Sequence, residues 1–181
     1  MAMAIGNRQL QPIPLGRAQL WTLAPPGAAP TTYVKQTETN WCWAACGEMV
    51  MQPRGIAETQ CTLASKQFTL QCCPSPGAPS GCNRGCWPDV AYPASGVPTL
   101  RTAAPLAQAT VSAEIAAGRP VQVCYQWTGS SSTHVALIVD EYPNGDFEVY
   151  DPWPGYGPGR RQFSQIQGAY GLGRWIQSFT F

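Results

Sequence analysis

HVALIVDEYPNGDFEVYDPW, residues 134–153, decides the architecture. Val135–Val139 is an unbroken apolar run without alternation, which reads as a central strand buried on both faces. Pro143-Asn144-Gly145-Asp146 is a strong hairpin turn, and Phe147–Trp153 reads as the returning strand. On either side, PVQVCYQW (120–127), RRQFSQI (160–166) and WIQSFTF (175–181) have strand character. Upstream the reading changes to helices. One runs from Trp41 to Gln52, with Asn40 as N-cap and Pro53 and Gly55 ending it. A second covers Glu58–Lys66, and Ser112 caps a third over Ala113–Ala117. Gln71–Pro105 is rich in Cys, Pro and Gly and is expected to hold little regular structure. Helices first and strands later predict an α+β domain with antiparallel pairing. Residues 1–30 end in APPGAAP and read as a Pro/Ala/Gly-rich N-terminal arm or linker, leaving 31–181 as the domain.

Composition narrows the function classes. Charged residues make up 12% of the 181, about half the ~25% usual in soluble domains. The net charge is +1, so no field exists to hold a nucleic-acid backbone or an anionic membrane. Arg160-Arg161 is too short a basic run to change that. Seven Trp, seven Tyr and five Phe argue for a packed core rather than disorder. No stretch approaches the length of a membrane span.

Eight cysteines are many for this length, and six lie between Cys46 and Cys86, where apolar periodicity is poor. A segment that builds little core gains most from crosslinks, so disulfides are expected there rather than zinc. Only one histidine is present, and Cys72-Cys73 followed by Cys82 and Cys86 lacks paired CxxC knuckles. Cys124, inside an apolar strand, reads as a buried free thiol, and Cys46 as a disulfide half or core thiol. Disulfides point to an oxidising destination, yet MAMAIGNRQLQPIPLGRAQLW contains no apolar run of a secretory signal. The expected location is therefore secreted, or delivered to a target cell by a dedicated secretion machine.

A thiol nucleophile needs a site that favours thiolate, a base within reach, and donors for the oxyanion. Cys42 falls in the first turn of the predicted helix, where unpaired N–H groups and the dipole favour negative charge. Gln36 lies six residues earlier, in the loop that runs past the helix start. His134 is the sole histidine, so any imidazole base must be this one. Asp151 closes the following strand and is placed to hold the second ring nitrogen.

These residues resemble a known pattern. Gln36-Thr-Glu-Thr-Asn-Trp-Cys42-Trp43-Ala44 is similar to the Gln-x5-Cys-Trp-Ala signature of papain-like cysteine peptidases. His134 opening an apolar strand, then Asp151-Pro152-Trp153, resembles that family's histidine and its orienting Asn or Asp. The Asp, the length and the Cys-rich insert look closest to bacterial effector-type and leader-cleaving branches. The resemblance implies Cys42 as nucleophile, His134 as general base and then acid, and Asp151 as the fixer of the tautomer. It implies Gln36, with the Cys42 N–H, as the oxyanion hole, and Trp153 as a shield over the His–Asp bond. It also implies a helical half carrying the nucleophile on a central helix, a β-rich half, and a cleft between them. Such an enzyme needs no metal or organic cofactor, and the expected species is a monomer acting on protein or peptide substrates. A deamidase or acyl transferase would use the same residues. A disulfide-stapled binding module without activity is the non-enzyme alternative.

One geometric conflict is visible in advance. A two-residue Asn144-Gly145 turn pairs Ile138 with Asp151 and leaves His134 about 13 Å further along the strand. A wider loop or a bulge is therefore expected, encouraged by Pro143. If the turn were tight, Asp140 would be the alternative orienter.

Overall fold

The computed structural model describes residues 31–181; the predicted arm over 1–30 lies outside them. Helices α1 (Cys42–Met51), α2 (Gln60–Phe68), α3 (Pro88–Ala91), α4 (Gln108–Ala116) and α5 (Phe163–Gln167) accompany six strands. The strands are β1 (Leu100–Thr102), β2 (Val121–Trp127), β3 (Thr133–Glu141), β4 (Phe147–Tyr150), β5 (Gly159–Arg161) and β6 (Gly173–Thr180). They form one sheet in the order β1-β6-β2-β3-β4-β5, and every pair is antiparallel. This is the expected α+β arrangement, with the helical half first in the chain.

The sheet is buried on both faces by two separate cores. Cys124, Val135, Leu137, Val139 and Phe179 face α1 and α2, packing with Trp41, Trp43, Met49 and Leu63. Val121, Val123, Tyr125, Ala136, Ile138 and Phe147 face the other way, against Val111 and Ile115 of α4 and Ile166 of α5. Alternate residues of β3 thus enter different cores, which explains its unbroken apolar run.

Where the chain departs from the sequence reading, the reason is local. Asn40 is not a helix cap: its amide donates to the Asn83 carbonyl, and α1 begins one residue later with Trp41 before it and no side-chain cap. Trp41 and Trp43, both essentially fully buried, anchor the helix instead. Burying one such side chain contributes roughly 1.5–3 kcal/mol, more than the ~1 kcal/mol of a typical cap. Helix α4 starts at Gln108 rather than after Ser112, because Val111 and Ile115, one turn apart, bury a common stripe. Residues 160–166 are only half strand: Phe163 and Ile166 stand three apart, a helical spacing, and Gln162 and Gln165 close a reciprocal capping box. The Cys-rich stretch holds more regular structure than expected, namely α3, a 3₁₀ turn over Tyr92–Ser95, and β1.

The β3–β4 connection resolves the geometric conflict. The Tyr142 N–H donates to the Asp146 carbonyl and the Gly145 N–H to the Tyr142 carbonyl, so three residues form the loop. Gly145 takes φ 83°, which its lack of a Cβ permits. A bulge between Ile138 and Asp140 shifts the register again, giving Ile138–Val149 and Leu137–Tyr150 pairs. Continued by one residue, this register sets Asp151 opposite Ala136, one same-face position from His134.

Of the eight cysteines, Cys61 pairs with Cys73 and Cys72 with Cys82. Cys42, Cys46, Cys86 and Cys124 are free. Among the described residues, no helix is long and apolar enough to cross a membrane.

Candidate active site

A cleft of about 460 Å³ opens where the start of α1 meets the start of β3. Cys42, Trp43, Cys86, Trp87, Trp127, His134 and Trp153 line it. Cys42 is the first residue of α1 and is partly exposed. The N–H groups of the first helical residues have no acceptor within the helix, and the first turn of α1 carries no acidic side chain. The backbone there favours negative charge on an atom held against it.

His134 is 3% exposed, and its Nε2 meets Asp151 Oδ1 at 2.7 Å. It is also hydrogen-bonded to Cys42, for which the remaining ring nitrogen, Nδ1, is left. Burial alone disfavours a charged ring. The hydrogen bonds to Asp151 and Cys42, together with their negative charge, outweigh that cost and push the imidazole up to about 10. The structure therefore brings Cys42, His134 and Asp151 into one chain of contacts. Asp140 takes no part: its carboxylate accepts from the Glu141 N–H.

Asp151 is 1% exposed and fully engaged. Oδ1 also accepts from the Trp153 N–H at 2.9 Å, and Oδ2 accepts from the Tyr170 hydroxyl at 3.1 Å. The Tyr33 hydroxyl donates to the Asp151 carbonyl at 2.9 Å. Trp153 stands edge-on to the His134 ring, with centroids 5.9 Å apart, and remains 39% exposed. The flat cover over the imidazole comes instead from Trp127, stacked at 5.7 Å and 19°. The sequence reading missed Trp127, which the β2–β3 pairing delivers, and Tyr170, which comes from a turn before β6.

Gln36 lies buried in the loop before α1, and its N–H donates to the Pro152 carbonyl, tying that loop to the Asp151 segment. Its side-chain Nε2 donates to the Glu38 and Thr39 carbonyls at 2.9 and 3.1 Å. Both side-chain protons are thus directed into its own loop, and Gln36 is not among the residues lining the cleft.

The remaining free thiols differ from Cys42 in environment. Burial pushes the Cys46 thiol well up, reinforced by Cys42 and Asp151, and it donates to the Val135 carbonyl. Burial raises Cys124 to about 12 and raises Cys86 as well. Cys46 and Cys124 are core thiols.

Comparison with known proteins gives the fold and the family of the chain. The chain is similar over 82% of its length, and over 96% of the other chain, to the crystal structure of the peptidase domain of Streptococcus ComA, described as a bi-functional ABC transporter involved in a quorum sensing pathway. The TM-score is 0.57 at 16% sequence identity, a likeness of fold. No curated protein matches. The model of the Peptidase_C39 like family matches residues 30–178, most of the chain. With its papain-like fold, this chain belongs to the Peptidase_C39 like family and is a cysteine protease.

Proposed function

We propose that the protein hydrolyses amide bonds of protein or peptide substrates through Cys42, His134 and Asp151. One observation carries this reading: the sole histidine touches the Cys42 thiol on one side and the buried Asp151 carboxylate on the other, at the wall of an open cleft. The Cys42 Sγ forms a bond to the substrate carbonyl carbon, and the negative charge moves to the carbonyl oxygen. The Cys42 N–H, at the unpaired end of α1, is the donor at hand. Gln36 donates as well once one of its Nε2 protons turns from the Glu38 or Thr39 carbonyl. The His134 proton passes to the leaving nitrogen as the C–N bond breaks, leaving an acyl-enzyme. Water then gives a proton to His134, attacks the thioester, and releases the acid and Cys42. Asp151 keeps Nε2 occupied so that Nδ1 remains the working nitrogen. Trp127 and Trp153 exclude water from the His–Asp bond, while Trp87 and Trp127 give the cleft apolar walls suited to side chains flanking the scissile bond.

The destination we propose is oxidising, reached by secretion or by delivery as an effector or toxin. The crossed bridges Cys61–Cys73 and Cys72–Cys82 support it, since such bonds persist outside a reducing cytosol.

Limiting alkylation near pH 6, followed by a non-reducing peptide map, tests the site. Cys46, Cys86 and Cys124 are all held protonated by burial, so the label should go to Cys42 alone and fall in His134→Ala. Peptide cleavage should disappear in Cys42→Ala. Labelling of Cys42 no faster than Cys86, or cleavage retained in Cys42→Ala, overturns the reading. Ammonia release from a glutamine substrate without chain cleavage would identify a deamidase instead.

A further inference from the structure

We infer that Tyr170 is a positioning residue for the reaction, holding the second oxygen of Asp151 so that the first stays on His134. The inference rests on the Cys42–His134–Asp151 reading above. Asp151 uses Oδ1 for both His134 Nε2 and the Trp153 N–H, while Oδ2 takes the Tyr170 hydroxyl at 3.1 Å. A carboxylate gripped at one oxygen can turn about its Cβ–Cγ bond and draw Oδ1 away from the ring. Gripped at both, it cannot.

The backbone at Tyr170 makes the placement specific. Tyr170 has φ 62° and ψ 24°, and Ala169 before it has φ 44°. This left-handed region is disfavoured for any residue with a Cβ and is an outlier for a bulky one. Gly168 and Gly171 flank the pair, so glycine is available within the same turn, yet a tyrosine occupies the strained position. Such strain persists where surrounding structure over-determines it. The ring is held by Tyr125 edge-on (5.4 Å, 71°), by Tyr156 at a shallow tilt (5.8 Å, 31°), and by the Arg161 guanidinium over its face at 5.3 Å. The Tyr125 hydroxyl lies 3.5 Å from that of Tyr170 and donates to it, leaving the Tyr170 proton for Asp151. Burial, with the nearby Tyr125 and Asp151, pushes the Tyr170 phenol far above its usual range, so it remains a donor at every working pH.

The titratable groups around the pair are Cys42 and Cys46 on α1, Tyr33 ahead of it, Tyr125 on β2, and Tyr156 and Arg161 around β5. Tyr170→Phe keeps the ring packing and changes the bonding of only one of them, Tyr125, whose hydroxyl loses its acceptor. It removes one donor to a carboxylate, so kcat should fall about ten- to a hundredfold with KM little changed. Without that grip Oδ1 leaves the ring part of the time and holds the imidazolium less tightly, so the alkaline limb of the pH profile should move downward. Because His134 is the only histidine, histidine-selective NMR gives one imidazole whose titration reads the same shift without turnover. Should Tyr170→Phe fold poorly, site-specific 3-fluorotyrosine at 170 keeps the shape, strengthens the grip on Oδ2 and should move the limb upward.

Unchanged kcat and an unmoved His134 titration overturn the inference, as does a loss of kcat with the limb in place, which is the signature of a packing role alone. Asp151→Asn separates the two levels. If it keeps wild-type activity, the triad reading fails. If it loses activity while Tyr170→Phe does not, only the role of Tyr170 fails.

Discussion

The proton on His134 links catalysis to stability through one ring. With the imidazole pushed up to about 10, the ring is charged through the neutral range, ready to protonate a leaving amine. Activity should therefore fall as pH rises through about 10, measured as kcat/KM against pH. The folded value exceeds the ordinary ~6.5, so the imidazolium stabilises the fold. That contribution is complete below about pH 6.5, and it is lost as pH rises through about 10. Cys42→Ala removes one of the two partners that raise the ring, so urea melts at pH 7 and pH 10 should differ less than in wild type. An equal or larger difference would show that Cys42 does not hold the charge. At this scale the sequence was informative because choice was limited: one histidine, one Trp-Cys-Trp at a helix start, one Asp-Pro-Trp closing the next strand. Trp127 and Tyr170 were not legible, since nothing local distinguishes one aromatic from the other eighteen. Only strand pairing and a left-handed turn bring them to the imidazole and the carboxylate.

Elements carry these side chains to within bonding distance, and two small irregularities do much of the placing. The three-residue loop and the bulge between Ile138 and Asp140 bring Asp151 two positions closer to His134 than an ideal two-residue hairpin allows. The need for an irregularity was legible from the spacing, but its form was not, because turn type and bulge position depend on which faces must be buried. Beyond β4 the chain folds back on itself at Gly157. A Cβ there would fall 2.7 Å from the Asp151 carbonyl oxygen and 3.0 Å from its Cα, with the Asp151 nitrogen nearer still. Gly157→Ala should therefore displace the Asp151 backbone while leaving both cores intact. Since a misplacement near 1 Å can cost on the order of a hundredfold, kcat should drop by about that factor with little change in Tm. Equal losses of activity and Tm would mean that the residue supports the fold and not the site.

Across the whole molecule, the Cys-rich insert is part of the active-site wall rather than an appendage. Cys61–Cys73 ties it to α2, and Cys72–Cys82 closes a loop whose far end grips the start of α1. The Trp41 indole donates to the Cys82 carbonyl at 2.8 Å, the Trp43 indole to the Arg84 carbonyl at 3.0 Å, and Asn40 bonds Asn83 twice. The insert thus fixes both residues flanking Cys42, then continues through Cys86 and Trp87 into the cleft wall. A need for crosslinks was legible in the sequence, whereas their pairing was not, because connectivity follows from where α2 and α1 place the loop. Closing a loop of this size contributes roughly 2–3 kcal/mol by restricting the unfolded chain. Mild reductant should leave activity intact, because Cys72 and Cys82 are buried. Reduction under partial denaturant should lower Tm and slow turnover together. The variant Cys72→Ala/Cys82→Ala separates these effects. We expect it to fold with reduced Tm and to lose kcat beyond what Cys61→Ala/Cys73→Ala loses, because only the first pair holds Trp41 in place. Equal kcat in the two double variants would show that α1 keeps its own position and that the insert serves stability alone.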